Sequence, residues 1–337
     1  MTGHDRIGVG VIALGMGMRH VEAAIASPRA RLVGIADIDP VRLEQVRQQV
    51  SPDVATTDYR ELLANPAIDL IVVASPDPFH RDQTVEALQA GKHVLVEKPM
   101  APTVAECQDM VDAAKAANKS LFVGHIVRFT PAFATVKKVV ESGDLGQVYF
   151  VGTSYEHDYS RLARKSAWRF DPKYSRHQFL GGGCHAVDLL RFFLPDTNAT
   201  SAVANHFSLP ESPNDDCIAA LYRTASGAVG RVLVTAGCKR PYGITLQVYG
   251  TEGTFDASNV ETSMRYWTNS MPGLGHNWMQ VPVESNNHPA DLQLDHCISA
   301  IRGEVAPIIS GEEGMKTVQL AVASIEASHS DQWVSVS

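Results

Sequence analysis

Cysteine is scarce in this chain of 337 residues: Cys107, Cys184, Cys217, Cys238 and Cys297 are an odd number with no CxxC spacing. That excludes a disulfide framework and a cysteine zinc site, and it fits reduced thiols in a cytoplasmic setting. Positive charge is also short. With 29 Lys plus Arg against 37 Asp plus Glu and a net charge of -8, nothing steers the protein toward nucleic acid or an anionic membrane. No apolar run approaches the about 18 residues a membrane span needs, and the longest are short blocks such as residues 70–74. Residues 7–14 are too few, and the segment before them too weakly charged, for a signal-peptide core. The 13 histidines show no HxH or HExxH spacing, so no metal is assigned. Internal repeats, low-complexity stretches and long linkers are absent as well. What is present, 45% hydrophobic and 20% charged residues, is enough for a sizeable core divided between two domains. The expected partner is a small molecule.

From residue 7 to about residue 124, short apolar runs alternate with segments of helical period, which is the sequence form of a doubly wound parallel α/β sheet. The runs cover 7–14, 32–36, 70–74, 94–96 and 121–123, each bounded by Gly, Pro, Asp or Ser, and they read as strands buried on both faces. Asp39 before Pro40 predicts a helix start, since Asp caps and Pro suits the first helical position. Thr103 and Glu106 form a capping box that opens another helix. After about residue 150 the period changes. Alternating stretches at 148–153, 217–222, 228–234 and 244–249 predict an open, mostly antiparallel sheet, with helical pieces at 186–193, 292–301 and 314–328. The second domain is therefore α+β, and the change of period divides the chain into 1–124 and 125–337.

The first strand runs into Ala13, Leu14, Gly15, Met16 and Gly17, followed by a helix carrying Val21, Ala24 and Ile25. Such a turn binds a pyrophosphate, because glycines let the backbone approach it at the helix N-terminus. The fit is imperfect, since Ala13 stands where the first glycine usually is. Asp37 strengthens it. It ends the second strand, 22 residues after Gly15, where a carboxylate accepts from both ribose hydroxyls of NAD and repels the 2′-phosphate of NADP.

Further motifs are DYRELL at 58–63, SPDPFH at 75–80, AGKHVLVEKP at 90–99, GHIVRF at 124–129, Trp168 with Arg169, GCHAVD at 183–188 and VYGTEG at 248–253. With the turn and Asp37 they make the chain resemble the Gfo/Idh/MocA family, the glucose-fructose oxidoreductase and inositol dehydrogenase relatives, over nearly its whole length. The resemblance implies a Rossmann domain joined to an open-sheet substrate domain. It implies NAD-linked oxidation or reduction of a sugar or cyclitol carbon, and a homodimer or homotetramer built through the open sheets. By position it puts Ser75 and His80 beside the cofactor, Glu97 and Lys98 near the nicotinamide ring, and Trp168 and Arg169 near the active-site mouth. Arg128, in GHIVRF, is grouped with the substrate-binding residues.

Removing hydride from a secondary alcohol requires a base for the hydroxyl proton and a cation for the developing alkoxide. Lys98, after a buried strand at the carboxyl end of the sheet, suits the second role. His185 opens a helix after Gly183, with Asp188 three residues on along the same face, and suits the first. Asp188 resembles the family's substrate-hydroxyl ligand. One departure stands out: inositol dehydrogenase relatives have an Asp four residues before this His, and here that place is Gly181. His157, Asp158, Tyr155 or Tyr159 is a candidate substitute, and Tyr242 an aromatic lining residue. Cys184 reads as a small buried residue. The leading expectation is an NAD-dependent dehydrogenase of a sugar, sugar derivative or cyclitol. Two alternatives stay open: a glycosidase using catalytic, unconsumed NAD through transient oxidation and elimination, and a non-catalytic dinucleotide or sugar sensor, which the gap at Gly181 permits.

Overall fold

The computed structural model describes residues 6–161, 170–171, 176–271, 273 and 275–336. By internal contacts it divides into two compact units. One is the chain through His125 together with Pro289–Val318; the other is Ile126–His288 together with the chain from Gln319 onward.

The first unit alternates β1 (Ile7–Ile12), α1 (Met18–Ala26), β2 (Ala30–Ala36), α2 (Pro40–Val50), β3 (Val54–Thr56), α3 (Arg60–Ala64), β4 (Leu70–Val73), α4 (His80–Gln89), β5 (His93–Val96), α5 (Val104–Ala117) and β6 (Leu121–Val123). Its six strands lie in the order β3-β2-β1-β4-β5-β6, every neighbouring pair parallel. This is the doubly wound sheet that the apolar runs predict, and β4, with all four residues buried, shows why those runs are continuous rather than alternating. β1 is shorter than the apolar run, because Ala13 turns out of the strand at φ +69°. The expected caps form. Asp39 accepts the N–H groups of Val41 and Arg42 at the head of α2, and Thr103 and Glu106 close the capping box of α5.

The second unit begins with α6 (Pro131–Ser142), β7 (Val148–Glu156), α7 (Gln178–Gly181) and α8 (Cys184–Phe193). The strands β8 (Thr197–Asn205), β9 (Cys217–Thr224), β10 (Val229–Thr235), β11 (Gly243–Gly250), β12 (Gly253–Ser258), β13 (Ser263–Thr268) and β14 (Met279–Pro282) follow. After α9 (Ala290–Ile301) and α10 (Gly311–Ser330) comes β15 (Val334–Ser335). The nine strands are ordered β14-β13-β12-β11-β7-β10-β9-β8-β15, and the β7–β10 pair is parallel while the others are antiparallel. One face is covered by α8; along β9 the buried Ile218, Ala220 and Tyr222 alternate with exposed Ala219, Leu221 and Arg223.

The division differs from the one drawn on period alone. Helix α9, which the sequence placed in the second domain, packs on α1: Ser27 Oγ donates to Asp295 Oδ1 at 2.9 Å, and Arg29 Nη1 to Ser299 Oγ at 2.7 Å. Among the described residues no helix is long and apolar enough to cross a membrane.

Candidate functional site

At the head of the first unit, the turn after β1 is shaped by two residues. Ala13 takes the left-handed conformation, and a side-chain carbon added at Gly17 would fall on the Ala13 carbonyl oxygen, so only glycine lets α1 start this close beneath the turn. Gly15 is different. An added carbon there meets nothing nearer than Arg42 Nη1 at 3.6 Å, so the fold itself does not require its bare backbone, and Gly15 and Met16 are exposed. Leu14 turns its side chain into the core and gives its N–H to Asp37 Oδ2 at 2.7 Å. Asp37 Oδ1 accepts from the Asp39 N–H at 2.9 Å, and each carboxylate oxygen keeps accepting capacity. An anchored carboxylate at the end of β2, beside a bare turn at a helix N-terminus, fits a dinucleotide: Gly15 and Met16 at the pyrophosphate, Asp37 at the ribose.

The other expected cofactor residues divide into two kinds. Ser75 Oγ donates to Gln83 Oε1 at 2.7 Å. His80 is buried, with Nδ1 3.0 Å from the Pro99 carbonyl and Nε2 2.8 Å from the Ser75 carbonyl. Each ring nitrogen thus faces a backbone carbonyl, and a neutral ring donates to one of the two. His80, expected beside the cofactor, holds the Ser75 and Pro99 loops together instead of presenting a ligand atom. Glu97 follows β5, accepts from His20 Nε2 at 2.8 Å through Oε1, and accepts the Lys98 N–H at 3.1 Å through Oε2. Burial works to raise the Glu97 carboxyl, but the His20 hydrogen bond and charge, with Lys98 alongside, outweigh it and hold the group at about 2. Lys98 itself is partly exposed and precedes a cis Pro99.

In the second unit, His185 lies in the first turn of α8, 4% exposed. Its ring stacks on Tyr155 at the end of β7, with centroids 6.4 Å apart and planes 26° apart. Tyr155 Oη is 3.1 Å from His157 Nδ1 and 3.0 Å from Tyr159 Oη. The Tyr242 ring stands 5.8 Å from Tyr155, 5.0 Å from His157 and 5.9 Å from His288, and its hydroxyl accepts from Asn259 Nδ2 at 3.3 Å. The fold therefore gathers three expected residues, His157, His185 and Tyr242, around a buried tyrosine. Burial, reinforced by Tyr159 and Tyr242, pushes the Tyr155 phenol well above its ordinary range.

Three expectations change here. Asp188 and Arg128, both expected at the substrate, bind each other: Arg128 Nε and Nη2 donate to Asp188 Oδ2 and Oδ1 at 2.7 Å, with both side chains buried. The bidentate pair engages both carboxylate oxygens inside the fold. At Gly181, where the resemblance implied an acid, an added side-chain carbon would meet the Arg176 guanidinium, Nε at 2.9 Å and Cζ at 3.2 Å. The space beside Gly181 is thus bordered by the Arg176 guanidinium. Asp158, a candidate replacement, caps its own loop through the Ser160 N–H and hydroxyl and takes Lys239 Nζ at 3.2 Å. Trp168 and Arg169 lie outside the described residues. Two residues that sequence reasoning passed over are His20, which partners Glu97, and His288, which stacks on Tyr242; the Tyr155, His157, Tyr159 run at every second position was the one available hint.

Residues 7–125 match a family described as an oxidoreductase family with an NAD-binding Rossmann fold, and 133–256 match the GFO/IDH/MocA C-terminal domain. Levoglucosan dehydrogenase of Pseudarthrobacter phenanthrenivorans is 30% identical over 286 residues, 74% of this chain and 73% of its own. Myo-inositol 2-dehydrogenase of Thermotoga maritima is 25% identical over 327 residues, 94% of each chain. A solved levoglucosan dehydrogenase in complex with NADH and levoglucosan aligns with a TM-score of 0.89 at 25% identity, over 98% of this chain and 99% of that one. Fold, anchored Asp37 and matched domains together define an NAD-linked oxidoreductase. The chain belongs to the Gfo/Idh/MocA family.

Proposed function

We propose that the protein transfers a hydride between the nicotinamide of NAD and a secondary alcohol carbon of a sugar, sugar derivative or cyclitol. The observation that carries this is Lys98: it stands at the carboxyl end of the parallel sheet, beside a carboxylate held ionised, in a chain related to enzymes named for levoglucosan and myo-inositol. NAD, when bound, supplies the hydride acceptor. Gly15 and Met16 receive its pyrophosphate, Asp37 its ribose, and Ser75 borders it. The Lys98 ammonium stabilises negative charge on the substrate oxygen, and His185 takes the hydroxyl proton, its ring plane set by stacking on Tyr155. His157 and Tyr242 line the substrate. The five cysteines are free thiols, which supports a cytoplasmic setting. Val203, Leu221 and Val229, exposed on the strands β8, β9 and β10, support assembly into a homodimer or homotetramer.

The test is a panel of levoglucosan, inositol isomers, other sugars and their keto forms with NAD or NADP, followed by NADH absorbance. Stoichiometric NADH from one class of polyol, with kcat/KM roughly tenfold or more in favour of NAD, is the expected result, and Asp37→Ala narrows that preference. NAD binding with no net NADH formed from any compound would favour the glycosidase or sensor readings, which the relatives named above do not support.

A further inference from the structure

The imidazole of His20 sits in the first turn of α1, 2% exposed, 77 positions from Glu97 in sequence and bonded to it. Its Nε2 lies 2.8 Å from Glu97 Oε1, and a carboxylate partner requires that nitrogen to carry the proton. The other oxygen of Glu97 is folded back on the next peptide, accepting the Lys98 N–H at 3.1 Å. Space for this arrangement is made just after β6, where an added carbon at Gly124 would lie 3.1 Å from both the Glu97 Cα and Oε2. Any side chain there would crowd the carboxylate. His20 Nδ1 is buried with no hydrogen-bond partner among the described residues. A buried structural histidine would ordinarily have polar partners at both nitrogens, and His80 has a carbonyl oxygen within 3.0 Å of each. The ring is therefore committed to Glu97 alone.

We propose that His20 is a positioning residue for Lys98: it clamps the Glu97 carboxylate, which in turn fixes the Lys98 backbone and keeps an anion beside the Lys98 ammonium. This rests on Lys98 being the group that stabilises the substrate oxygen. Among the described residues the titratable groups that bear on Glu97 are His20 and Lys98. Without His20, burial acts on Glu97 against Lys98 alone and the carboxyl gains a proton more easily; a protonated Glu97 leaves the Lys98 ammonium without its neighbouring anion.

The experiment compares His20→Asn, whose amide is too short to reach Glu97, with His20→Gln, whose amide nitrogen spans the distance of the lost Nε2. The full chain is used, with NAD and the best polyol from the panel. In His20→Asn the alkaline limb of kcat/KM moves down by about one pH unit and kcat falls roughly tenfold, while the Kd for NADH, read by fluorescence titration, changes less than about threefold. His20→Gln recovers most of both losses. Independently of turnover, carboxyl-labelled glutamate NMR, with Glu97 assigned from Glu97→Gln, shows the Glu97 titration rising in His20→Asn and returning in His20→Gln. An unmoved Glu97 titration and an unmoved alkaline limb in His20→Asn overturn the proposal, as does a His20→Gln variant no better than His20→Asn. Lys98→Met separates the two levels of the argument: it loses roughly 10²-fold in kcat if Lys98 has the role assigned, and normal turnover there sinks that role whatever His20 does.

Discussion

Ala13 occupies a backbone conformation, φ +69°, that the turn after β1 demands and that suits glycine. An L-residue there costs about 1–2 kcal/mol, and glycine returns about 0.5–1 kcal/mol of that as extra freedom in the unfolded chain. Ala13→Gly is thus expected to stabilise the protein by about 0.5–1 kcal/mol, seen as a higher urea midpoint at unchanged slope. A lower midpoint would mean that the alanine methyl makes contacts worth more than the strain. The imperfect turn is legible in the sequence as a missing glycine, but the sign of its consequence is not, because it depends on a dihedral angle. Asp37 and the Glu97, Lys98, Pro99 segment were legible for a different reason: their roles follow from lying at strand ends, which the apolar runs mark. His20 was not, since a single histidine on a short helix carries no spacing signal until α1 and β5 are brought together.

Helix α8 shows the same contrast at the scale of an element. Its apolar face was readable from the period of residues 186–193, while its start, expected at His185, lies one residue earlier at Cys184. That Asp188 is turned to Arg128 was not, because the pair spans 60 positions and joins α8 to the turn at Ile126–Phe129. Breaking a pair this buried leaves one charge stranded, so Arg128→Met is expected to cost about 3–5 kcal/mol in unfolding free energy, whereas Arg128→Met with Asp188→Leu recovers most of that loss. A cost for Arg128→Met below about 1 kcal/mol would show that the pair is solvated in solution. Caps were the most legible features of all: Asp39 and the Thr103 and Glu106 box act on backbone groups within three residues of themselves. Strand β8 was passed over because Thr197–Asn205 is built mostly of small residues with little apolar contrast, and β14 because a four-residue edge strand is defined by its pairing with β13 rather than by its composition. Helix α9 was readable as a helix and misplaced as to unit, since the surface a helix covers is not a local property.

For the molecule as a whole, acid stability is set in part by two histidines, one in each unit, that the fold holds neutral. His93 Nδ1 accepts the Ser120 N–H at 3.0 Å, and His177 Nδ1 accepts the Phe179 N–H at 3.1 Å. A protonated ring nitrogen cannot accept, so each bond is lost on protonation. Burial first, then the Lys119 charge, lowers His93 to about 4; burial likewise lowers His177 to about 4 against the opposing pull of Asp215. The sign follows from linkage. Both folded-state values lie below the usual 6.5, so the unfolded chain takes up these protons first; the stabilisation is complete above 6.5 and is lost progressively as pH falls from there toward 4. His177 contributes roughly 3 kcal/mol at most to that fall, and the less buried His93 well below that because solvent screens its charge. Asparagine keeps an acceptor near the place of Nδ1 and does not titrate, so His93→Asn and His177→Asn are expected to flatten the decline in urea midpoint between about pH 6.5 and about pH 4.5. All four tryptophans come after Ile126 in the chain, so tryptophan fluorescence isolates the effect of His177→Asn, while far-ultraviolet circular dichroism also reports the unit that holds His93. If the double variant declines as steeply as the parent over that range, carboxylate protonation carries the acid loss and the two imidazoles do not.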